Sequence, residues 1–464
     1  MATELRCAVA TSLLLLVGAT QQVLAQKQSA PPAGPPRGFT LPEKHEITLP
    51  NGMGVTLVQY GVLPKADVAL IVRAGNVDEA AVQVSLADVM GDLMAEGTTT
   101  RSAEAVAQAA ASMGGSIEIS VTMDQTRMGG SVLSEFAPRM VQLVADVARN
   151  PALPDSELSR IKANRLRDLA VQMTQPQPIA LEKFREVLYP DHPYGRVFPT
   201  PEMVQGFTIK DVRDFYAANV GAARSHLYVV GRFDAQATEA AIRAAFGDWQ
   251  RGEIEKVPAP HPVGSRAVYL IDRPGAVQST LYIGLPVAGP TSSDYVPLLV
   301  TDALLGGSFG SRITSNIREQ KGYTYSPYST VSTRYHDAYW VEQADVTTKF
   351  TGPSIKEILG EVERLRKEPP SADELRGIQN YLAGTFVLQN STRGGIISQL
   401  SFVRLQGLGD DYLTDFVKRV HSVTPAEVQS IAQKYLDPNR MPIVVVGDRK
   451  VIEGQLGEFG KVVQ

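Results

Sequence analysis

The feature that constrains this chain most is an internal duplication, because two parts of similar length open with the same pattern. Two apolar, β-branched runs, Val55–Tyr60 and Val68–Arg73, flank a turn-rich segment. Val268–Arg273 and Thr280–Leu285 repeat this arrangement, and the second pair begins 213 positions after the first. Runs of this composition predict strands. We therefore expect two related halves, each opening with a pair of strands.

The ends of the two halves match as well. In the first half, a helical pattern after Thr208 leads to an apolar run that ends at Gly231, and in the second half Thr424 leads in the same way to Gly447. Each Thr lies 23 positions before its Gly and three positions before an Asp or Glu, a spacing typical of a capped helix N-terminus. Equal spacing in both halves makes coincidence a poor explanation.

Amphipathic stretches between these ends predict that helices dominate each half. They are Ala103–Met113, Phe136–Ala148 and Asp155–Gln172 in the first half, and Ser354–Arg366 and Ala372–Val387 in the second. The expected fold class is α+β, with two homologous domains in tandem, each a mostly antiparallel sheet covered by helices. We place these domains at residues 43–251 and 267–464, joined by a proline-containing linker at 252–266.

The N-terminus has the order of a secretory signal peptide. Arg6 precedes the apolar stretch Ala8–Gly18, and Val23-Leu24-Ala25 offers small or aliphatic residues at −3 and −1 of a cleavage site, so we expect residues 1–25 to be removed. An uncleaved anchor is the alternative. A Pro-, Ala-, Gly- and Ser-rich segment at 26–42 is expected to be a flexible tether. These features predict export to the periplasm or beyond. The only cysteine, Cys7, lies in the signal, which excludes disulfides and thiolate metal sites from the mature chain.

Charge and hydropathy exclude two classes of protein. The formal net charge of the 464 residues is −4, and the chain has no long basic run that would attract nucleic acid. The mean hydropathy is −0.08 and the only long apolar run is the N-terminal one, so a multi-span membrane protein is excluded and no stable span is expected after signal cleavage.

Several local strings in both halves have the character of motifs. They are Glu96–Ser102, Met113–Gly115, Thr122–Thr126, Asn150–Pro151, His192–Gly195, Gly306–Arg312 and Ile317–Tyr325. Together they resemble the pitrilysin/insulinase family of zinc peptidases, in its two-domain bacterial and mitochondrial-processing type. The resemblance covers nearly all of residues 43–450. The resemblance implies that each chain forms half of a clamshell that closes around an extended peptide.

The family's metal motif is broken in this chain. Active members carry H-x-x-E-H, in which two His bind zinc and the Glu activates water. At the matching positions stand Asp88, Gly91 and Asp92, and the nearest match to a further Glu ligand is Asp168. Carboxylates can bind hard cations, but no obvious group remains to accept a proton from bound water. We expect no metal and no other cofactor in this chain.

The second half retains a different part of the family's site. The resemblance places an Arg and a Tyr seven residues apart, and Arg318 and Tyr325 satisfy that spacing, with Tyr323 as an alternative if the register shifts by two. In the family this pair lies opposite the zinc and contacts the substrate carbonyl, the oxyanion and the peptide backbone. A P-loop at Gly306, Gly307 and Gly310 is rejected because no Lys-Ser/Thr follows.

The resulting functional hypothesis is a non-catalytic, substrate-orienting subunit of a heterodimeric zinc metallopeptidase in the periplasm. Zinc would lie in a homologous exported partner with an intact H-x-x-E-H, and the substrate would be a peptide that adds as a strand to a sheet edge. Two alternatives remain: a scaffold or peptide-binding protein without a peptidase partner, and an independent metallopeptidase that uses Asp88, Asp92 and Asp168.

Overall fold

A computed structural model describes residues 38–254 and 258–463 of the chain. The expected signal peptide and most of the expected tether, residues 26–37, lie outside the described residues. Within the tether, Phe39 packs its ring edge-on against Phe386, with 5.3 Å between ring centroids. The described residues belong to one compact unit. A search of these residues finds no helix with the length and apolar character of a membrane span.

The first half contains a six-stranded sheet and eight α-helices within the described residues. Its strands are β1 (Lys44–Thr48), β2 (Gly54–Gln59), β3 (Lys65–Val72), β4 (Glu118–Val121), β5 (Thr126–Leu133) and β6 (Ser225–Gly231). Its helices are α1 (Leu86–Met94), α2 (Ala103–Ala111), α3 (Ala137–Arg149), α4 (Asp155–Gln172), α5 (Pro176–Leu188), α6 (Pro201–Gly206), α7 (Ile209–Asn219) and α8 (Ala235–Phe246).

The second half repeats this plan in the described residues. Its strands are β7 (Val268–Asp272), β8 (Gln278–Val287), β9 (Tyr328–Arg334), β10 (Asp337–Thr347), β11 (Ile443–Gly447) and β12 (Val462–Val463). Its helices are α9 (Tyr295–Leu305), α10 (Thr351–Lys367), α11 (Ala372–Gln389), α12 (Arg393–Gln406), α13 (Asp411–Thr414), α14 (Phe416–Ser422), α15 (Pro425–Tyr435) and α16 (Arg449–Leu456). A π-helix spans Thr314–Gln320.

The two sheets have related strand orders. The first is β1-β2-β6-β3-β5-β4 and the second is β12-β7-β11-β8-β10-β9. In the first sheet only β2 and β6 pair in parallel, and in the second only β7 pairs in parallel, with β11 and β12. The expected α+β architecture of two mostly antiparallel sheets is confirmed. The strands β4 and β9 occupy equivalent edges.

Local sequence accounts for the repeated helix-to-strand unit that ends each half. The Thr208 hydroxyl accepts a hydrogen bond from the Asp211 N–H, and the Asp211 carboxylate accepts one from the Thr208 N–H, which closes a capping box on α7. Thr424 caps α15 by accepting from the Glu427 N–H. Both helices lead into fully buried strands, β6 and β11.

Each half contributes one helix that packs on the sheet of the other half. Helix α5 of the first half packs on β8 and β11 of the second sheet, and α12 of the second half packs on β3 and β6 of the first. On the first contact, Phe184 lies edge-on to Tyr339 with ring centroids 5.6 Å apart. On the second contact, Arg393 forms an ion pair with Asp67 at 2.9 Å. These two helices therefore form contacts between the two halves.

Candidate functional site

Helix α1 has one polar face, which carries the two aspartates matched from the sequence to the family's metal motif. Seven of its nine residues are buried, and the two that are not are Asp88 and Asp92. Residues four apart lie one above the other on a helix, so both carboxylates point to the same side. Their side chains retain 25% and 39% exposure. A side chain from a neighbouring helix can therefore reach both carboxylates.

That group is the guanidinium of Arg165 on α4. Its Nε donates to Oδ2 of Asp92 at 2.7 Å, its Nη2 donates to the backbone carbonyl of Asp88 at 3.2 Å, and its Nη1 lies 3.6 Å from Oδ1 of Asp88. Burial lowers the pKa of Arg165, but the hydrogen bond to Asp92 and the charges of Asp88, Asp92 and Asp168 outweigh burial and raise it above its usual value. A fixed cation thus occupies the space between the two aspartates.

Asp88 has further partners. Its Oδ2 accepts hydrogen bonds from Asn76 Nδ2 at 2.8 Å and from the Ser85 hydroxyl at 2.9 Å. Asp168 lies one turn after Arg165 on α4 and is exposed. No group of three or more His, Cys, Asp or Glu among the described residues is arranged to hold a metal ion. The residues present therefore do not fit the zinc that the motif position implies.

The position of the family's general base is also closed. Gly91 is buried against the edge strand β4, and a Cβ placed on it would lie 2.8 Å from Cγ2 of Val121 and 3.8 Å from Cγ2 of Ile119. The absence of a side chain allows α1 to approach β4 closely. A glutamate at this position would have to displace Val121.

Glu79 supports the start of α1. Its carboxylate accepts hydrogen bonds from the N–H groups of Ser85 and Ala87 at 2.9 and 2.8 Å, which lie at the N-terminus of the helix. Burial raises the pKa of Glu79 to about 8, although these hydrogen bonds and one from Asn76 oppose the shift. Glu79 therefore changes charge near pH 8 at the N-terminus of the helix that carries Asp88 and Asp92.

The structure brings Arg318 and Tyr325 together. Arg318 lies on the π-helix, and its guanidinium carbon is 5.2 Å from the ring centroid of Tyr325 and 4.4 Å from that of Phe309. Glu319 forms an ion pair with Arg318 at 3.0 Å. Tyr325 is 80% exposed and Phe309 is 74% exposed. The arrangement is a cation held between two exposed aromatic rings.

Tyr323 is in a different environment. Its ring stacks on Phe350 with 4.4 Å between centroids and an interplanar angle of 24°, and it packs against the second-half core. Its backbone N–H donates to the Ile317 carbonyl. Of the two tyrosines considered from the sequence, Tyr325 is therefore the one whose side chain is exposed.

A cavity of about 310 Å³ opens beside Arg318 and Tyr325. Its wall includes Gly306, Gly307 and the exposed ring of Tyr328. A Cβ on either glycine would collide with a buried carboxyl group, because it would lie 2.6 Å from an oxygen of Glu342 or of Asp302. The glycine run therefore serves close packing over buried acids, in agreement with the rejection of a P-loop.

These buried acids were not anticipated from the sequence. Asp302 accepts hydrogen bonds from the Ser329 hydroxyl at 2.5 Å and from Trp340 Nε1 at 2.8 Å, and burial raises its pKa to about 6. Glu342 is fully buried, neither carboxyl oxygen has a hydrogen-bond partner among the described residues, and burial raises its pKa well above the usual value. The signals in the sequence are single acidic residues beside apolar ones, Asp302 in α9 and Glu342 after Ala338–Val341 in β10.

Arg165 is the other residue that sequence reasoning missed. The available signal was its position three residues before Asp168 on the helix predicted at Asp155–Gln172, which is one helical turn on the same face. Spacing alone did not reveal that this face meets α1.

Comparison with known proteins identifies relatives of both halves. Residues 56–202 match the family described as "Insulinase (Peptidase family M16)", and residues 206–382 match "Peptidase M16 inactive domain". An uncharacterized zinc protease of Streptomyces coelicolor is 23% identical over 414 residues, which span 87% of this chain and 89% of that protein. An uncharacterized zinc protease of Mycobacterium bovis is 27% identical over 406 residues, which span 84% and 90%.

Solved structures share the fold. A peptidase M16 inactive domain from Pseudomonas fluorescens superposes with a TM-score of 0.80 at 24% identity, covering 87% of this chain and 98% of that one. A protease from Helicobacter pylori superposes with a TM-score of 0.81 at 18% identity, covering 88% of this chain and 100% of that one. At these identities the likeness describes the fold alone.

Proposed function

The chain belongs to the insulinase (M16) family of peptidases, and from that premise we propose that it is the non-catalytic, substrate-orienting subunit of a heterodimeric zinc metallopeptidase. The observation that carries this proposal is the Arg165 guanidinium seated between Asp88 and Asp92. A metal ion brought to this pair would be repelled by Arg165 and would lack neutral nitrogen ligands.

The closed position of the general base supports the same conclusion. Hydrolysis by a metallopeptidase requires a group that takes the proton from the attacking water. Gly91 has no side chain, and Val121 fills the space that one would need. The geometry therefore disfavours the alternative of an independent metallopeptidase built on Asp88, Asp92 and Asp168.

The contribution to catalysis would come from Arg318 and Tyr325. Arg318 is a permanent cation with several N–H donors, and Tyr325 presents a phenol hydroxyl on a rigid, exposed ring. In the assembled pair the hydroxyl would donate to the substrate carbonyl oxygen as negative charge develops on it, and the guanidinium would bind the substrate backbone. Neither step requires a metal in this chain.

The substrate would be an extended peptide or unfolded polypeptide. Strands β4 and β9 end their sheets in the described part of the chain, and an edge strand offers unpaired N–H and C=O groups to a passing peptide. Strand β9 begins at Tyr328, in the wall of the Arg318 cavity. Backbone pairing of this kind gives affinity with little sequence preference.

The proposal includes a partner chain and a cellular location for this protein. The partner would be a homologous exported chain with an intact H-x-x-E-H, which would hold the zinc. The signal-like segment Ala8–Gly18 supports a periplasmic location.

Reconstitution tests the proposal. The chain is purified alone and with its partner, and cleavage of an unstructured peptide is followed. We expect activity only in the pair, and a loss of about a hundredfold when Arg318→Ala is combined with Tyr325→Phe. Tyr381→Phe, which alters another exposed tyrosine of the same cavity, is the matched control. Full activity of the double variant would refute the substrate-orienting role, and a pair that forms without any cleavage would favour a scaffold.

A further inference from the structure

A second cavity, of about 230 Å³, lies where helix α12 crosses the first sheet. Its wall comes from both halves of the chain: the end of β3, the turn before β6 and the start of β6 on one side, and α12 on the other. Three arginines line it, namely Arg73, Arg224 and Arg404. It shares no residue with the Arg318 cavity.

The charged side chains that line this cavity are all cationic. Its other lining residues are neutral, and no carboxylate is among them. Arg224 has a counter-ion behind it, because its Nη1 contacts Oδ1 of Asp78 at 2.9 Å and both side chains are more than nine-tenths buried. Arg73 places its guanidinium 4.6 Å from the ring centroid of Tyr335. Arg404 forms no ion pair with a described residue.

Hydrogen-bond donors in this wall remain available. Arg224 uses Nε and Nη1 on Asp78 and on the carbonyls of Arg73 and Glu253, and its Nη2 has no acceptor among the described residues. Arg404 is exposed on its own helix and likewise makes no side-chain hydrogen bond within the described part of the chain. A guanidinium presents N–H pairs in a planar fork that matches two oxygens of one anion.

His226 is a buried histidine in the wall of this cavity. Its side chain is buried at 6% exposure, its Nε2 lies 2.7 Å from the Thr56 hydroxyl, and its Nδ1 has no partner. Burial, then the charge of Arg404 and that of Lys44, lower the pKa of His226 to about 2. The imidazole is therefore neutral. Lys44 is paired with Glu46 at 3.2 Å and with Asp410 at 2.8 Å, so Arg404 is the cation beside His226 that makes no ion pair within the described residues.

We propose that this cavity binds a phosphate-type oxyanion, free or as the end group of a small metabolite. Arg224 and Arg404 come from different halves, so the bound anion would bridge the first sheet and α12. Ser401 Oγ and the Gln125 amide, which lie 3.4 Å apart in the same wall, supply neutral polar groups beside the arginines. The walls leave room for a phosphate and a few further atoms. The site is independent of peptide cleavage and of any partner chain.

Titration of the purified full chain tests the proposal. Inorganic phosphate is added at constant ionic strength with chloride as the balancing anion, and binding is followed by calorimetry and by the rise in thermal unfolding temperature. A phosphomonoester, glycerol phosphate, is titrated in parallel to distinguish a free anion from an end group. We expect saturable binding of at least one of the two, a loss of at least tenfold in affinity for Arg404→Gln, and no detectable binding for Arg404→Glu.

Arg376→Gln is the matched control. Arg376 is an exposed arginine on α11 with its own partner Asp373, so its loss removes one positive charge elsewhere. This variant should bind phosphate as the unaltered chain does. Absence of saturable binding to the unaltered chain, or equal affinities of Arg404→Gln and Arg376→Gln, would overturn the proposal. Perturbation of the His226 imidazole resonances by phosphate gives a readout that does not depend on any variant.

Discussion

Nε of Arg165 lies 2.7 Å from Oδ2 of Asp92 and joins α4 to α1. The same guanidinium reaches the backbone carbonyl and the carboxylate of Asp88. An internal cation thus balances the charge of the two aspartates. The consequences are structural as well as catalytic, because removing the cation leaves two carboxylates facing each other.

Arg165→Ala is therefore expected to lower the free energy of unfolding by about 1–2 kcal/mol, through loss of the charged hydrogen bonds and repulsion between Asp88 and Asp92. Urea denaturation measures the difference. Arg160→Ala is the control, since Arg160 lies on the same helix, is half exposed and pairs with Glu96 and Glu157 at the surface. It should cost clearly less than Arg165→Ala, because solvent screens ion pairs at the surface. Equal effects of the two substitutions would mean that Arg165 is an ordinary surface residue.

Gly91→Ala should destabilise the chain even though alanine favours a helix by about 1 kcal/mol. The new methyl group would meet Cγ2 of Val121, and overpacking of this kind typically costs about 1–3 kcal/mol. Denaturant unfolding measures the change. The double variant Gly91→Ala with Val121→Ala should recover part of the loss, because the obstructing methyl groups are removed. A stabilising Gly91→Ala would show that β4 does not close this position.

Glu79 predicts a specific dependence of stability on pH. Its pKa in the folded chain is about 8, above its ordinary value of 4.5, so the folded state holds a proton that the unfolded state releases. The associated stability is fully present below about pH 4.5 and is lost as the pH rises through about 8. Unfolding free energies of the unaltered chain and of Glu79→Gln, measured from pH 5 to pH 9, should differ by an amount that shrinks or changes sign across this range. A constant difference would contradict the assignment.

Substitutions of Tyr325 and of Tyr323 should have different effects, the first on activity and the second on stability. In the reconstituted pair, Tyr325→Phe is expected to lower kcat by about tenfold to a hundredfold and to leave the unfolding free energy unchanged, because its hydroxyl is exposed. Tyr323→Ala should instead destabilise the chain, since its ring stacks on Phe350. Tyr323→Phe keeps the ring and should retain activity. Loss of activity in Tyr323→Phe but not in Tyr325→Phe would shift the functional register by two residues.

The sequence predicted the helices and strands closely because their signals are local. Asp155–Gln172 was predicted with the ends that α4 has, and the capping residues Thr208 and Thr424 begin helices as expected. The pairing of Arg165 with Asp92 was not predicted, because the rotation of α4 relative to α1 is set by packing of the whole half. A sequence pattern on one helix contains no information about which face of another helix it meets.

The same limit applies to loops and to contacts between the halves. The resemblance placed Arg318 and Tyr325 near each other, but the approach of Phe309 to the same guanidinium depends on the loop that precedes the π-helix. The cavity lined by Arg224 and Arg404 exists only because α12 crosses to the first sheet. These two arginines are 180 positions apart, and contacts at such a separation follow from tertiary packing and leave no periodic signal in the sequence.

Metal analysis of the isolated chain tests the central claim most directly. The chain is incubated with excess zinc, dialysed exhaustively and analysed for bound metal. An arginine between Asp88 and Asp92 predicts far less than one zinc ion per chain. One tightly held zinc ion per chain that is lost when Asp88 and Asp92 are both replaced by Asn would contradict the account.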